Sequence, residues 1–418
     1  MKHIEQIYTN CLAQGSYFIE SDGEAAVIDP LRESHPYIQR AEEKGVEIKY
    51  IFETHFHADF VSGHLDLSKK TGATIVYGPT AETRFDKHEA VDGEEFRVGK
   101  LTIRALHTPG HTPESTTYLL INEEGKEHAI FTGDTLFIGD VGRPDLAQKA
   151  TNLTQEDLAG WLYDSLRHKI MTLPDDVVVY PAHGAGSACG KNMSSETWDL
   201  LGNQKKTNYA LRGDMTREEF IKEVTEGLLP PPHYFADNAK LNKIGYNSLD
   251  EAMQQGLTPV TLDDFKALKD DPEVLVLDVR DRWDFVRGHI PGSLFIGLGG
   301  SFAPWVGALI PNLRQKILLI TEAGKEEEAV RRLARVGYDN AIGFLKDGFE
   351  SWQKNNEPIK SIKTIKVEDF IKTYHEGDAV IDVRKPSEYD NAHINEASNL
   401  PLDFFLSLIH ISEPTRPY

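Results

Sequence analysis

Over the first ~190 residues, hydrophobic positions come in short blocks separated by polar turns. Blocks at 25–28, 49–54, 74–77, 101–107, 129–132 and 177–180 have strand length, and several run into Gly, Pro, Asp or His. Between them, 35–44 and 158–171 read as helices. In the second, Leu158, Trp161, Leu162, Leu166 and Ile170 recur close to helical spacing. Further helical stretches are expected at 194–202 and 216–228. The run Pro230–Pro232 and the Asn-rich stretch to Leu249 break the pattern and read as a wrap or linker. Strands that end in polar loops are the usual way to build an active site along a sheet edge.

Beyond that break the chain repeats itself. Leu277-Asp-Val-Arg280 and His289-Ile290 return as Ile381-Asp-Val-Arg384 and His393-Ile394. Asp278 to Asp382 and His289 to His393 are the same 104 residues apart. Two elements sharing one offset indicate a tandem duplication. Each Asp-Val-Arg follows an apolar strand (274–277, 379–381), and the first copy continues through a strand at 317–320 and a helix at 326–336, as in an α/β domain.

Composition narrows the function. A length of 418 residues suggests two or three domains, and 40% hydrophobic with 27% charged residues is globular. Forty-five basic against sixty-six acidic residues give a net charge of −21, which argues against nucleic acid and anionic membrane surfaces as partners. The only cysteines are Cys11 and Cys189. They exclude a disulfide framework or a cysteine-rich zinc module and fit a reduced, intracellular protein. No apolar run reaches the ~18–20 residues of a membrane helix, and the first residues lack a secretory apolar core. A soluble, cytoplasmic chain is expected.

The densest chemistry is Thr54-His-Phe-His-Ala-Asp-Phe-Val-Ser-Gly-His64. His111 (in Thr108-Pro-Gly-His), Asp134 (in Phe131-Thr-Gly-Asp) and His183 (in Tyr180-Pro-Ala-His) each follow a hydrophobic strand in a Gly/Pro turn. Taken singly, such a histidine is more often a surface or hydrogen-bonded residue than a ligand. Four strand-end placements together reverse that balance. Imidazole with carboxylate suits a transition metal, and a two-histidine, one-carboxylate face with open positions suits non-haem Fe(II). His107 is expected only to pack or hydrogen-bond at a strand end, and His3, His35, His88, His168 and His233 are given no role.

These motifs resemble the metallo-β-lactamase superfamily over roughly residues 1–240, which implies an αββα sandwich with metal at one sheet edge. Within it, Thr54-His-Phe-His-Ala-Asp59, Phe131-Thr-Gly-Asp-Thr-Leu-Phe137 and Gly142-Arg-Pro-Asp145 resemble persulfide dioxygenases. Many dinuclear relatives, glyoxalase II-like thioesterases among them, carry a histidine directly after the motif aspartate. Here Phe60 stands in that place, which favours one metal. The resemblance implies Fe(II) on His55, His111 and Asp134. It makes His57, Asp59 and His183 outer groups, with direct ligation by them the alternative. It further implies oxidation of a small thiol persulfide, such as glutathione persulfide, by O2 to sulfite and free thiol. Arg143 is a candidate for holding an anionic part of the substrate or for pairing with Asp145. Lys191, in the glycine-rich stretch 184–192, is a second anion candidate at a possible substrate mouth. Cys189 in that stretch reads as a plain buried or surface thiol. The rival readings are a zinc-dependent thiolester hydrolase of the glyoxalase II type and a non-catalytic sulfur-carrier or sensing scaffold. A homo-oligomer is compatible with all three.

The repeat Asp278–Ser293, with Asp347-Gly-Phe-Glu-Ser-Trp352, resembles the rhodanese domain. Active rhodaneses attack with a loop cysteine. Aligning Gly324 puts Thr321 in the cysteine's place and Glu326 in an arginine's, so this copy is expected to be silent. The expected organisation is 1–245 for the metal domain, 255–358 for the inactive rhodanese-like domain and 361–405 for the start of a second copy. Residues 406–418 read as translated sequencing adapter.

Overall fold

The computed structural model describes residues 3–147, 152–228, 230–375 and 377–402; the expected tail at 406–418 lies outside them. The chain divides into two compact units: residues 1–254 with 330–339, and residues 255–329 with 340–418.

Two six-stranded sheets form the first unit. One runs β1 (Ile4–Thr9), β2 (Gln14–Ser21), β3 (Glu24–Ile28), β4 (Glu47–Phe52), β5 (Thr74–Tyr77), β6 (His88–Glu89) in that order. It is antiparallel up to β3 and parallel from there on. The other is ordered β12 (Asp199–Leu200), β11 (Val178–Pro181), β10 (Glu127–Gly133), β9 (Thr116–Ile121), β8 (Leu101–His107), β7 (Glu95–Val98).

Side-chain alternation sorts residues into layers. In β3, Ala26 and Ile28 pack with Phe52, Tyr118 and Phe131 between the sheets. Ala25 and Val27 point the other way, against Tyr37 and Ala41 of α1 (His35–Lys44) and Leu67 of α2 (His64–Thr71). Leu119, Ile130 and Val179 leave the second sheet outward to meet Ala159 and Leu162 of α3 (Gln155–Ser165). Helices outside and a facing sheet inside bury β9 on both faces, so all six of its residues, Thr116 and Thr117 included, are buried. The architecture is an αββα sandwich.

Three stretches differ from the sequence pattern. The segment 158–171 is helical only in part: α3 ends at Ser165 behind a Thr154 capping box, and Leu166–Ile170 form a π-turn. The 194–202 segment is not a helix. Asp199 and Leu200 pair with Val179 and Val178 as an edge strand, and α4 (Leu201–Thr207) starts only afterwards. The 216–228 segment is helical as α5 (Arg217–Thr225). The stretch to Leu249 is no linker: it forms α6 (Phe235–Ile244), whose Phe235, Asn238 and Asn242 are buried. Asparagine is a weak helix former, but the Asn242 amide bonds inside the protein, as the site shows.

The second unit holds a parallel sheet ordered β13 (Pro259–Val260), β17 (Ala341–Leu345), β16 (Lys316–Ile320), β14 (Val274–Asp278), β15 (Leu294–Phe295). Phe265, Val276, Leu318, Ile320 and Trp352 pack in its core. At the end of β14, Arg280 bonds back to Asp278 and to the Gly288 carbonyl, while His289 stacks on Phe285 at 4.0 Å. One offset later, Arg384 bonds Asp382 and the Ala392 carbonyl, and His393 stacks on Tyr389 at 3.7 Å. The contacts recur as the motifs do. In the second copy β18 (Ile381–Asp382) pairs with β19 (Ser398–Asn399).

After β16, Thr321 is buried and its hydroxyl donates to Glu326 Oε1 at 3.2 Å. Gly324 has φ +80°, a turn conformation that suits glycine. Glu322 accepts from the Asp281 amide at 2.9 Å. Arg280, Asp281, Glu322 and Lys325 line a cleft of about 270 Å³ beside this loop.

Candidate metal centre

The site sits where β4, β8, β10 and β11 run into loops at one edge of the sandwich. After Phe52 the chain leaves β4, and Thr54 is fixed at once. Its amide donates to Asp29 Oδ1 at 2.8 Å and its hydroxyl to Asp29 Oδ2 at 2.9 Å. Its carbonyl accepts from the Thr116 amide at 2.8 Å. Because the hydroxyl proton goes to a carboxylate, the 2.9 Å contact to His55 Nδ1 must be donated by the ring. That leaves the His55 Nε2 lone pair free. His111 is set the same way, its Nδ1 donating to the Arg143 carbonyl at 2.9 Å. The two free Nε2 atoms stand 3.8 Å and 3.4 Å from Asp134 Oδ2. Metal–ligand bonds of about 2.0–2.2 Å put neighbouring donors roughly 3–3.6 Å apart, so this trio nearly matches a filled site. Burial, then the charges of His57, His111 and His183, push the His55 pKa well below the ordinary histidine value, so it stays a neutral donor.

Asp134 follows Gly133, whose φ is +53° and whose absent Cβ would strike Thr54 Oγ1 at 2.4 Å. Both carboxylate oxygens of Asp134 are buried without a hydrogen-bond partner, as are both ring nitrogens of His183. Buried unpaired polar groups are costly. A bound cation removes that cost, and an N₂O donor set suits a divalent transition metal.

His57, Asp59 and His183 form an adjoining buried group. His183 Nε2 is 3.5 Å from Asp59 Oδ2 and 3.6 Å from Asp134 Oδ1. Burial pushes the Asp59 pKa up, with His183 and His57 opposing. His57 Nε2 faces Asp29 at 3.0 Å and Glu53 at 3.4 Å. Burial works against a charged His57 ring, yet those two carboxylates outweigh it and hold its pKa well above normal. Phe60 is wholly buried against the His57 ring at 4.4 Å and supplies no donor.

The two anion candidates are otherwise engaged. Arg143 forks onto Asp145 at 2.6 and 2.7 Å. Lys191 Nζ donates to the carbonyls of Glu223 and Glu226 at the end of α5. His107 bonds the Pro113 carbonyl at 2.9 Å.

Four contributors escape sequence reading. Asp29 and Glu53 act on His57, and Cys189 lies within ligand reach of Asp134 and His183. Asn242 clamps the ligand loop from α6. Its amide donates to the carbonyls of His57 and Phe60, each at 2.8 Å, and accepts from the Ser62 amide at 2.9 Å. Removing a buried partner leaves those groups unpaired, so Asn242→Ala is expected to lower stability by about 2–4 kcal/mol. Urea unfolding checks this.

An αββα sandwich with a buried His/Asp cluster on loops at one sheet edge defines a metal-dependent enzyme class. Residues 10–183 match the description of the metallo-beta-lactamase superfamily and residues 261–355 that of the rhodanese-like domain. The human mitochondrial persulfide dioxygenase ETHE1 is 32% identical over 212 residues, covering 50% of this chain and 74% of that protein. A probable hydroxyacylglutathione hydrolase of Schizosaccharomyces pombe is 30% identical over 204 residues, covering 47% and 75%. A crystal structure of a metallo-beta-lactamase from Staphylococcus aureus subsp. aureus COL matches with TM-score 0.72 and 32% identity, over 82% of this chain and 98% of that one. The chain belongs to the metallo-beta-lactamase superfamily and joins that fold to a rhodanese-like domain. Among the described residues no helix is long and apolar enough to cross a membrane.

Proposed function

We propose that this chain is a mononuclear Fe(II) persulfide dioxygenase. A low-molecular-weight thiol persulfide, one O2 and one water would give sulfite and the free thiol, with O2 as the oxidant of the outer sulfur. The observation that supports this most is the buried face of His55, His111 and Asp134, with Phe60 where a further donor would stand. Iron, when bound there, supplies redox chemistry that zinc lacks. The protein's part is orientation. Thr54 and the Arg143 carbonyl fix two rings with their Nε2 atoms inward, and Asn242 holds the loop that carries His57 and Asp59. With Arg143 paired to Asp145, its guanidinium steadies the carbonyl that orients His111 and meets substrate only if that pair opens.

Anaerobic purification, metal analysis and an oxygen-electrode assay with glutathione persulfide test the reading. Iron content with O2 uptake and sulfite release supports it. The second reading, a zinc thiolester hydrolase, draws on the hydrolase relative at nearly equal identity and on the extra donors His57, Asp59 and His183. Thiolester cleavage without O2 uptake would favour it. The rhodanese-like loop, with Thr321 where a nucleophilic sulfur would stand, is expected to be silent. Thiocyanate formation from thiosulfate and cyanide should match background and not change in Thr321→Ala.

A further inference from the structure

A cavity between the His111 loop and the end of α3 takes no part in the proposed reaction. Its volume of about 560 Å³ is within the usual range for a small-molecule site. Pro109 and Pro113, placed two residues to either side of His111, line it together with Trp161 of α3. Trp161 is 37% exposed, whereas Leu158, Ala159 and Leu162 of the same helix are buried. A large ring left open to a cavity is a strong anchor for a ligand. The walls are preorganised. Ser165 Oγ donates to the Pro109 carbonyl at 2.7 Å, and a Cβ at Gly110 would lie 2.4 Å from Leu162 Cα, so loop and helix are locked together. Thr80, which also lines the cavity, has φ +67°, a strained value for a β-branched residue. The π-turn Leu166–Ile170 brings His168 and Lys169 to the same space. Both irregularities are of the kind that recurs at functional sites.

The lining also selects the sign of a ligand's charge. Its one ammonium, Lys169, donates to Asp92, which accepts in addition from the His107 amide at 2.9 Å. That pair is spent on itself and leaves little for an anion. Asp164 is held less firmly, since Arg217 reaches it only at 3.4 Å. The His107 ring gives its Nε2 proton to the Pro113 carbonyl, which leaves Nδ1 of the neutral ring an acceptor. A carboxylate, a ring lone pair and an indole face all attract positive charge, and the net charge of −21 adds a field of the same sense. We infer that this cavity binds an organic cation, an ammonium group on an apolar or aromatic body. The body lies against Trp161 and the two prolines, and the charge is directed to Asp164. The inference is independent of the metal and of the reaction proposed above.

The test is a ligand-observed NMR titration of the full chain with three probes of similar shape: 2-phenylethylammonium, 2-phenylethanol and 3-phenylpropionate. The cation should bind with a Kd of about 1 mM or tighter, and the anion at least about tenfold more weakly. Trp161→Ala should weaken the cation at least about tenfold, and Asp164→Asn should erase its advantage over the alcohol. Trp283→Ala, at an exposed tryptophan of the second unit, should change nothing. No binding of the cation, equal binding of cation and anion, unchanged affinity in Trp161→Ala, or loss in Trp283→Ala overturns the inference. Should Trp161→Ala not fold, Asp164→Asn decides, and a retained preference for the cation over the alcohol refutes the site. No arm uses a metal or a persulfide, so this result and that of the oxygen-electrode assay stand or fall separately.

Discussion

His111→Ala is expected to reduce persulfide-dependent O2 uptake by at least about 100-fold, the scale on which loss of even an outer-shell partner acts. The ring supplies one of two inward Nε2 atoms, and its other nitrogen is spent on the Arg143 carbonyl. Alanine therefore removes a candidate ligand and also the ring's hydrogen bond to that carbonyl. No neighbour replaces it well, since His57 is turned with Nε2 on Asp29 and Glu53. Metal content measured with the rate separates a lost ion from a misplaced one. Full iron content with undiminished uptake would remove His111 from the centre.

Gly142→Ala is expected to act as strongly without replacing a donor side chain. A Cβ at Gly142 would lie 2.0 Å from the Asp134 carbonyl oxygen and 2.9 Å from His111 Nδ1. Real Cβ atoms do not approach backbone that closely, and no side-chain rotation relieves the clash. The hydrogen bond from the Gly142 amide to that same Asp134 carbonyl, 3.0 Å long, must also give way. The expected result is a stability loss of about 3 kcal/mol or more and an iron affinity lowered at least about 100-fold. Calorimetry and metal competition measure the two. Gly186→Ala provides contrast: its φ of +103° is strained for alanine, but nothing lies within 4 Å.

Sequence pattern picks out the residues that the structure brings together as a candidate metal centre because each of His55, His111 and Asp134 follows an apolar strand in a short loop, a local signal. Strands at 74–77 and 101–107 and the helix at 35–44 coincide with the observed elements for the same reason. What stayed hidden depends on partners far along the chain. Asn242 acts on a carbonyl 185 residues earlier, and its neighbourhood looks like a polar linker until that contact is seen. Glu53 reads as one more charged residue at a strand end, and only the fold turns it onto His57 and His64. The 194–202 stretch reads as helix from its sequence, whereas pairing of Asp199 and Leu200 with β11 makes that part a strand. Cys189 carries no motif at all; only the fold returns its loop to Asp134 and His183.

The clamp from α6 also sets a timetable for synthesis. His57 leaves the ribosome long before Asn242, and at about 5–20 residues per second the 185 intervening residues take roughly 10–40 s to make. Through that interval the candidate ligand His55 exists without the group that orders the loop following it. Newly made chain would then take up whichever metal ion the compartment offers first, before the finished site can discriminate. Pulse-labelled chains stalled before and after Asn242 should differ in the metal they retain.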